Sequence, residues 1–187
     1  MISRIVFSGK GGQGLITAAI LFAEAAVYYE GLEATQTQSY GPEARGGSSR
    51  ADVIVATDQI LFPKVLEPNI LIALSQEAYD KYAWIVRPGG IIILDTHDVK
   101  SRSSTTARQV SMDFTRTINT ELHTKLGVNV AVVGALAGIL DYMKLESLEK
   151  VVRARFDERY VENNVTALHL GYKLAENQKK QRTLSVF

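Results

Sequence analysis

A glycine-rich run, Gly9-Lys10-Gly11-Gly12-Gln13-Gly14, separates a short branched segment, Ile2 to Ser8, from a long apolar one that begins at Leu15. That arrangement constrains the fold more than any other feature. Ile2 to Ser8 reads as a buried strand ended by Gly9. Beyond the glycines, Leu15, Ala18, Ala19, Phe22, Ala23, Ala26 and Val27 fall on one helical stripe, and Ile16, Ile20, Leu21 and Ala25 make the other face apolar too. A helix so apolar is covered on more than one side, by its own sheet and by a further surface, which includes a partner protein as an option. Gly31 offers its stop.

Glycines at a strand-to-helix turn let the backbone approach a phosphate, and the open amides of a helix start favour an anion. The spacing is G-x-G-x-x-G, yet the second strand, Ala34 to Gln38, lacks the terminal acid that holds ribose hydroxyls in dinucleotide folds. Lys10 precedes the glycines instead of following them, so the loop is not a Walker A loop. From these residues alone an anion site and a plain tight turn stand level.

Ala51–Ala56, Asn69–Leu74 and Ile91–Asp95 read as strands without polar alternation, with a helix over Ser75–Val86 between the last two. Such strands indicate a parallel sheet covered on both faces. Gln109–Asp113 reads as one more strand, followed by helical patterns over Phe114–Lys125 and Val128–Met143. In the latter, Gly134 and Gly138 permit close approach of another backbone. Ser147 reads as the cap of a helix carrying Leu148, Val151, Val152 and Phe156. Val161, Val165, Leu168, Tyr172 and Ala175 mark the last helix. The expected fold is α/β: a mainly parallel twisted sheet with helices on both faces, Rossmann-like, and a helical C-terminal portion. One domain spans residues 1–187, and its tail, 178–187, is open to fraying or docking.

Composition removes several function classes. Twenty-one basic residues against twenty acidic give a net charge of +1, which argues against a nucleic-acid binder. With no cysteine, the chain has no disulfide, thiolate zinc site, cysteine-held iron–sulfur cluster or cysteine nucleophile of its own. The three histidines, His97, His123 and His169, are not at metal-ligand spacing. His97 follows a strand end, where α/β enzymes place catalytic groups, but it reads more simply as a turn residue beside Asp98. His123 and His169 read as helix residues. No basic region with a long apolar stretch precedes the glycine loop, and Val128 to Leu140 falls short of the roughly 20 residues of a membrane span. A cytoplasmic protein that contacts neither membrane nor nucleic acid is expected.

A second unusual loop follows Gln38. It carries Ser39, Tyr40, Gly41, Glu43 and Arg45, is stiffened by Pro42, and ends in Gly46-Gly47. Loops on the carboxyl side of a parallel sheet face one crevice, which sets this one beside the glycine loop. Arg45 suits a bidentate pair with phosphate or carboxylate; pairing of Glu43 and Arg45 within the protein or across an interface is the alternative.

Three segments together resemble the gamma subunit of 2-oxoacid:ferredoxin oxidoreductases: Gly9-Lys-Gly-Gly-Gln-Gly-Leu-Ile-Thr-Ala-Ala19, Gln38-Ser-Tyr-Gly-Pro-Glu-Ala-Arg-Gly-Gly-Ser48 and Asn129-Val-Ala-Val-Val-Gly-Ala-Leu136. The later Glu162-Asn-Asn-Val165 and Leu170-Gly-Tyr172 fit as well, so the likeness covers nearly the whole chain. The form of the second segment is most like the 2-oxoglutarate or branched 2-oxoacid enzymes.

The resemblance implies a role in oxidative decarboxylation of a 2-oxoacid to an acyl-CoA, with two electrons passed to ferredoxin. It implies thiamine diphosphate and magnesium in alpha and beta subunits, and [4Fe-4S] clusters in a ferredoxin-like delta subunit or another cysteine-bearing chain. This chain is then a non-redox component that is inactive alone, shapes the coenzyme A region or locks the assembly, and is open to self-association when isolated. Gly9, Gly11, Gly12, Gln13 and Gly14 become the backbone cradle, with Lys10 and Arg45 as anion partners. Ser39, Tyr40, Gly41, Pro42, Glu43, Gly46 and Gly47 shape the facing loop. The rival reading is a stand-alone nucleotide-binding module built on the Gly9–Gly14 loop.

Overall fold

The branched N-terminal segment forms the middle of a sheet because its residues are apolar on both faces: Ile5, Val6 and Phe7 are all fully buried. In the computed structural model, which describes residues 1–39, 48–102, 105–124 and 126–184, six strands are present. They are β1 (Ile2–Lys10), β2 (Glu33–Ser39), β3 (Ser48–Ala56), β4 (Ile70–Ala73), β5 (Ile91–Asp95) and β6 (Arg108–Met112), in the spatial order β2-β3-β1-β4-β5-β6. β1, β4, β5 and β6 pair in parallel. β3 runs antiparallel to both β1 and β2, so β2 shares the direction of the parallel set. The mainly parallel sheet is therefore as expected, with β3 as its one reversed strand. Eight residues separate β2 from β3, whereas a parallel return needs a crossover of about a dozen or more.

The helices are α1 (Leu15–Tyr29), α2 (Gln76–Tyr82), α3 (Phe114–Leu122), α4 (Val128–Ile139), α5 (Leu145–Arg155) and α6 (Glu158–Leu184), with a 3-10 turn at Ala83–Ile85 after α2. One face of the sheet carries α1 and α3 to α6 over a core that includes Phe7, Phe22, Ile72, Phe114 and Leu136. The other carries α2 and the 3-10 turn over Val6, Ile54, Leu71, Tyr79 and Ile92. The second cover over α1 comes from α4 and α5 of the same chain. Its end is at Gly31, whose φ of 65° lets the Leu32 amide return to the Ala26 carbonyl.

Three local readings change. α5 starts at Leu145 after Lys144, so Ser147 is a buried residue inside the helix and not its cap; the apolar Leu145, packed against the core, extends the helix N-terminally. His123 lies just past α3 at a φ of 51° and closes that helix. The helix predicted over Val128–Met143 stops at Ile139, and Met143 is buried in the turn that follows. The close approach expected at Gly134 and Gly138 is present, against α6. α6 is helical to Leu184 and 185–187 lie outside the described residues. No helix is long and apolar enough to cross a membrane among the described residues.

Candidate functional site

The glycine loop leaves the carboxyl end of β1 and is braced by its own glutamine. Gln13 Oε1 accepts the Lys10 N–H at 2.6 Å, and Gln13 Nε2 donates to the Leu74 carbonyl at 3.0 Å. Gly9 makes room for that amide, since a Cβ there would collide with Gln13 Oε1. Gly14, at φ 71°, is the N-cap of α1 and carries no capping side chain. Its carbonyl accepts from Asn129 Nδ2 at 3.2 Å, and a Cβ on it would stand 2.5 Å from that same nitrogen. Gly9 and Gly14 thus serve internal packing. Gly12 differs: its φ is 86° and nothing lies within 4 Å of where a Cβ would stand. Gly11 and Lys10 beside it are exposed. The open edge of the loop is therefore Lys10-Gly11-Gly12, one cation on two bare backbone units.

The second loop meets the same rim at both ends. Lys10 pairs with Ser48 and Gly9 with Ser49 in the β1–β3 ladder, while Ser39 pairs with Arg50 across β2–β3. Tyr40, Gly41, Pro42, Glu43, Arg45, Gly46 and Gly47 lie outside the described residues.

A cleft of about 740 Å³ opens beside the glycine loop. Gly12, Gln13, Gly14 and Thr17 form one wall, His97, Asp98 and Thr115 another, and Asn129, Tyr160, Asn163 and Asn164 close it over apolar Leu122, Val128 and Phe156. Asn129, Asn163 and Asn164 come from segments that carry the family resemblance, yet the loops alone gave no reason to place them here. Their signal was polar asparagine in otherwise apolar or helical runs. Of the three histidines only His97 lines the cleft, and no group of three acids and histidines is placed to hold a metal among the described residues. His169 bonds Glu149 at 2.9 Å on the exposed α5–α6 surface. That bond, with Arg153, holds the Glu149 carboxyl below its ordinary range.

Asp95 ties His97 and Thr115 together within one wall of the cleft. Its side chain is 1% exposed. Oδ2 accepts from the Thr115 hydroxyl at 2.5 Å and the Thr115 amide at 3.1 Å, and Oδ1 accepts from the His97 amide at 3.2 Å. Burial pushes the carboxyl above its usual range although these bonds pull the other way. The folded state then holds the proton to higher pH than the unfolded chain. This contribution is fullest below the unfolded value, about 4, and is lost as pH rises through the folded value. Asp95→Asn removes the titration, so its melting temperature should rise relative to wild type's between pH 4 and pH 7. Parallel melting profiles across that window would contradict this.

A family model described as pyruvate ferredoxin/flavodoxin oxidoreductase matches residues 4–174. The chain belongs to that family. Among curated family members, the 2-oxoglutarate synthase subunit KorC of Methanocaldococcus jannaschii is 39% identical over 179 residues, covering 94% of this chain and 95% of its own. Among solved structures, the keto/oxoacid ferredoxin oxidoreductase gamma subunit of Geobacter sulfurreducens superposes with a TM-score of 0.83 at 36% identity, over 92% of this chain and 98% of that one. The 2-oxoglutarate:ferredoxin oxidoreductase of Magnetococcus marinus, solved with 2-oxoglutarate, coenzyme A and succinyl-CoA bound, shares the fold at a TM-score of 0.84 and 20% identity. The match covers 94% of this chain but 31% of that longer one. The oxidoreductase family expected from the sequence segments is thus the family found.

Proposed function

We propose that this chain is the gamma subunit of a 2-oxoglutarate:ferredoxin oxidoreductase, a cytoplasmic complex that converts 2-oxoglutarate and coenzyme A to succinyl-CoA and carbon dioxide while two electrons pass to ferredoxin. The observation that carries the reading is the 39% identity to the KorC subunit across nearly all of both chains. A stand-alone nucleotide module is not favoured, because the full-length relatives are subunits. In this reading alpha and beta subunits hold thiamine diphosphate with magnesium, which supplies the decarboxylation chemistry, and a ferredoxin-like delta subunit holds the [4Fe-4S] clusters. A chain without cysteine suits the remaining, non-redox place.

The part assigned to this chain is the coenzyme A approach. The Lys10-Gly11-Gly12 edge suits a phosphate: it offers a cation, bare backbone and the uncapped start of α1. Gly9, Gln13 and Gly14 hold that edge in shape. Arg45 supplies a second cation, and Ser39, Tyr40, Gly41, Pro42, Glu43, Gly46 and Gly47 shape the segment around it. The purified complex tests both parts. It should prefer 2-oxoglutarate to pyruvate by about tenfold or more in kcat/KM. Lys10→Ala should raise the KM for coenzyme A about fivefold with kcat within about twofold. Preference for pyruvate sinks the substrate assignment; an unchanged KM sinks the role of the edge.

A further inference from the structure

α2 lies on the sheet face opposite α1, and one side of it reaches the same rim. β2 ends opposite Arg50, so Ser48 stands two residues beyond the last β2 partner. Its amide is satisfied all the same: the Ser48 N–H donates to Glu77 Oε1 at 3.1 Å. Lys81, one turn along α2, reaches Ser48 Oγ from Nζ at 3.4 Å. The same ammonium stands 5.4 Å from the centre of the Tyr82 ring, which Arg50 also covers at 5.3 Å. Ser48 is buried and is the ladder partner of Lys10. The Lys10–Ser48 pair is therefore held from both sides, by Gln13 through the Lys10 amide and by Glu77 through the Ser48 amide.

We propose that Glu77, supported by Lys81, is a positioning residue that fixes Ser48 and through it the Lys10-Gly11-Gly12 edge offered to coenzyme A phosphate. The inference rests on the coenzyme A reading above. Without an acceptor the buried Ser48 amide must shift to find water, and its ladder partner shifts with it. Electrostatics alone predicts the opposite outcome, because a carboxylate near an anion site weakens anion binding and its removal should tighten it. The sign of the effect therefore separates a strut from a bystander charge.

In the assembled complex, Glu77→Ala should raise the KM for coenzyme A about fivefold while kcat stays within about twofold of wild type. Glu77→Gln loses the charge but keeps an oxygen acceptor, and should restore the KM to within about twofold of wild type. An unchanged or lowered KM in Glu77→Ala, where Lys10→Ala raises it, overturns the positioning role and leaves the coenzyme A reading intact. Unchanged KM in both variants overturns both. Glu77→Gln as impaired as Glu77→Ala shows that an oxygen acceptor for the Ser48 amide is not what matters and also overturns the strut. If Glu77→Ala does not assemble, Glu77→Asp carries the test with the same charge and a shorter reach: a raised KM supports the proposal and an unchanged one rejects it.

Discussion

Gly134→Ala should destabilise the isolated chain by about 3 kcal/mol or more, near the upper end of what overpacking costs. α4 and α6 lie side by side with backbone against backbone. A Cβ on Gly134 would fall within collision distance of the Leu168 carbonyl, and one on Gly171 would strike the Ala131 carbonyl. One turn further, a Cβ on Gly138 would meet Ala175 Cβ at 2.6 Å and the Tyr172 carbonyl at 3.2 Å. The obstacles are main-chain atoms of a helix, which no rotamer change can move aside. Relief requires separating two helices whose contact runs through the largest core cluster, where α4 is buried from Val130 to Gly138. For a chain of this length such a loss lowers the melting temperature by roughly 6–12 °C, readable by circular dichroism. Gly11→Ala is the control, because a Cβ there meets only Ser49 Oγ at 3.8 Å; it should stay within about 0.5 kcal/mol. A Gly134→Ala chain as stable as the control would show that α4 and α6 are not packed this closely.

That helix contact was legible in the sequence because glycines four apart in an otherwise apolar helix have few other uses. β5 was legible too, as Ile91 to Asp95 is a short apolar run bounded by Gly90 and a polar turn. Strand direction was not. Ala51 to Ala56 is apolar enough to be buried on both faces whichever way it runs, so its pattern carries no orientation. The usable signal lay outside the strand, in a connection too short for a crossover helix. The cleft was the least legible feature. It joins Gly12 to Asn164 across most of the chain, and hydrophobic periodicity reports only on neighbours within one element. Ser147 misled for a simpler reason: a serine near a helix start resembles a cap unless its burial is known.

The largest effect expected on function is the loss of turnover when this chain is left out. Its proposed place is at the approach to a reaction centre held by other subunits, where misplacing a reactant by about 1 Å can cost about a hundredfold. Lys10, Gly11 and Gly12 present charge and bare backbone but no nucleophile or general base. Asp95 is too enclosed by Thr115 and His97 to reach a substrate. In the proposed function the rim orients a thiol-bearing co-substrate for chemistry carried by other subunits.

The decisive measurement is reduction of a viologen dye, dependent on 2-oxoglutarate and coenzyme A, by the partner subunits alone, by this chain alone, and by the two recombined. Full rate is predicted only on recombination, with the partners alone slower by about a hundredfold or more and this chain alone silent. Turnover by this chain in isolation, or an undiminished rate from the partners without it, would contradict the account.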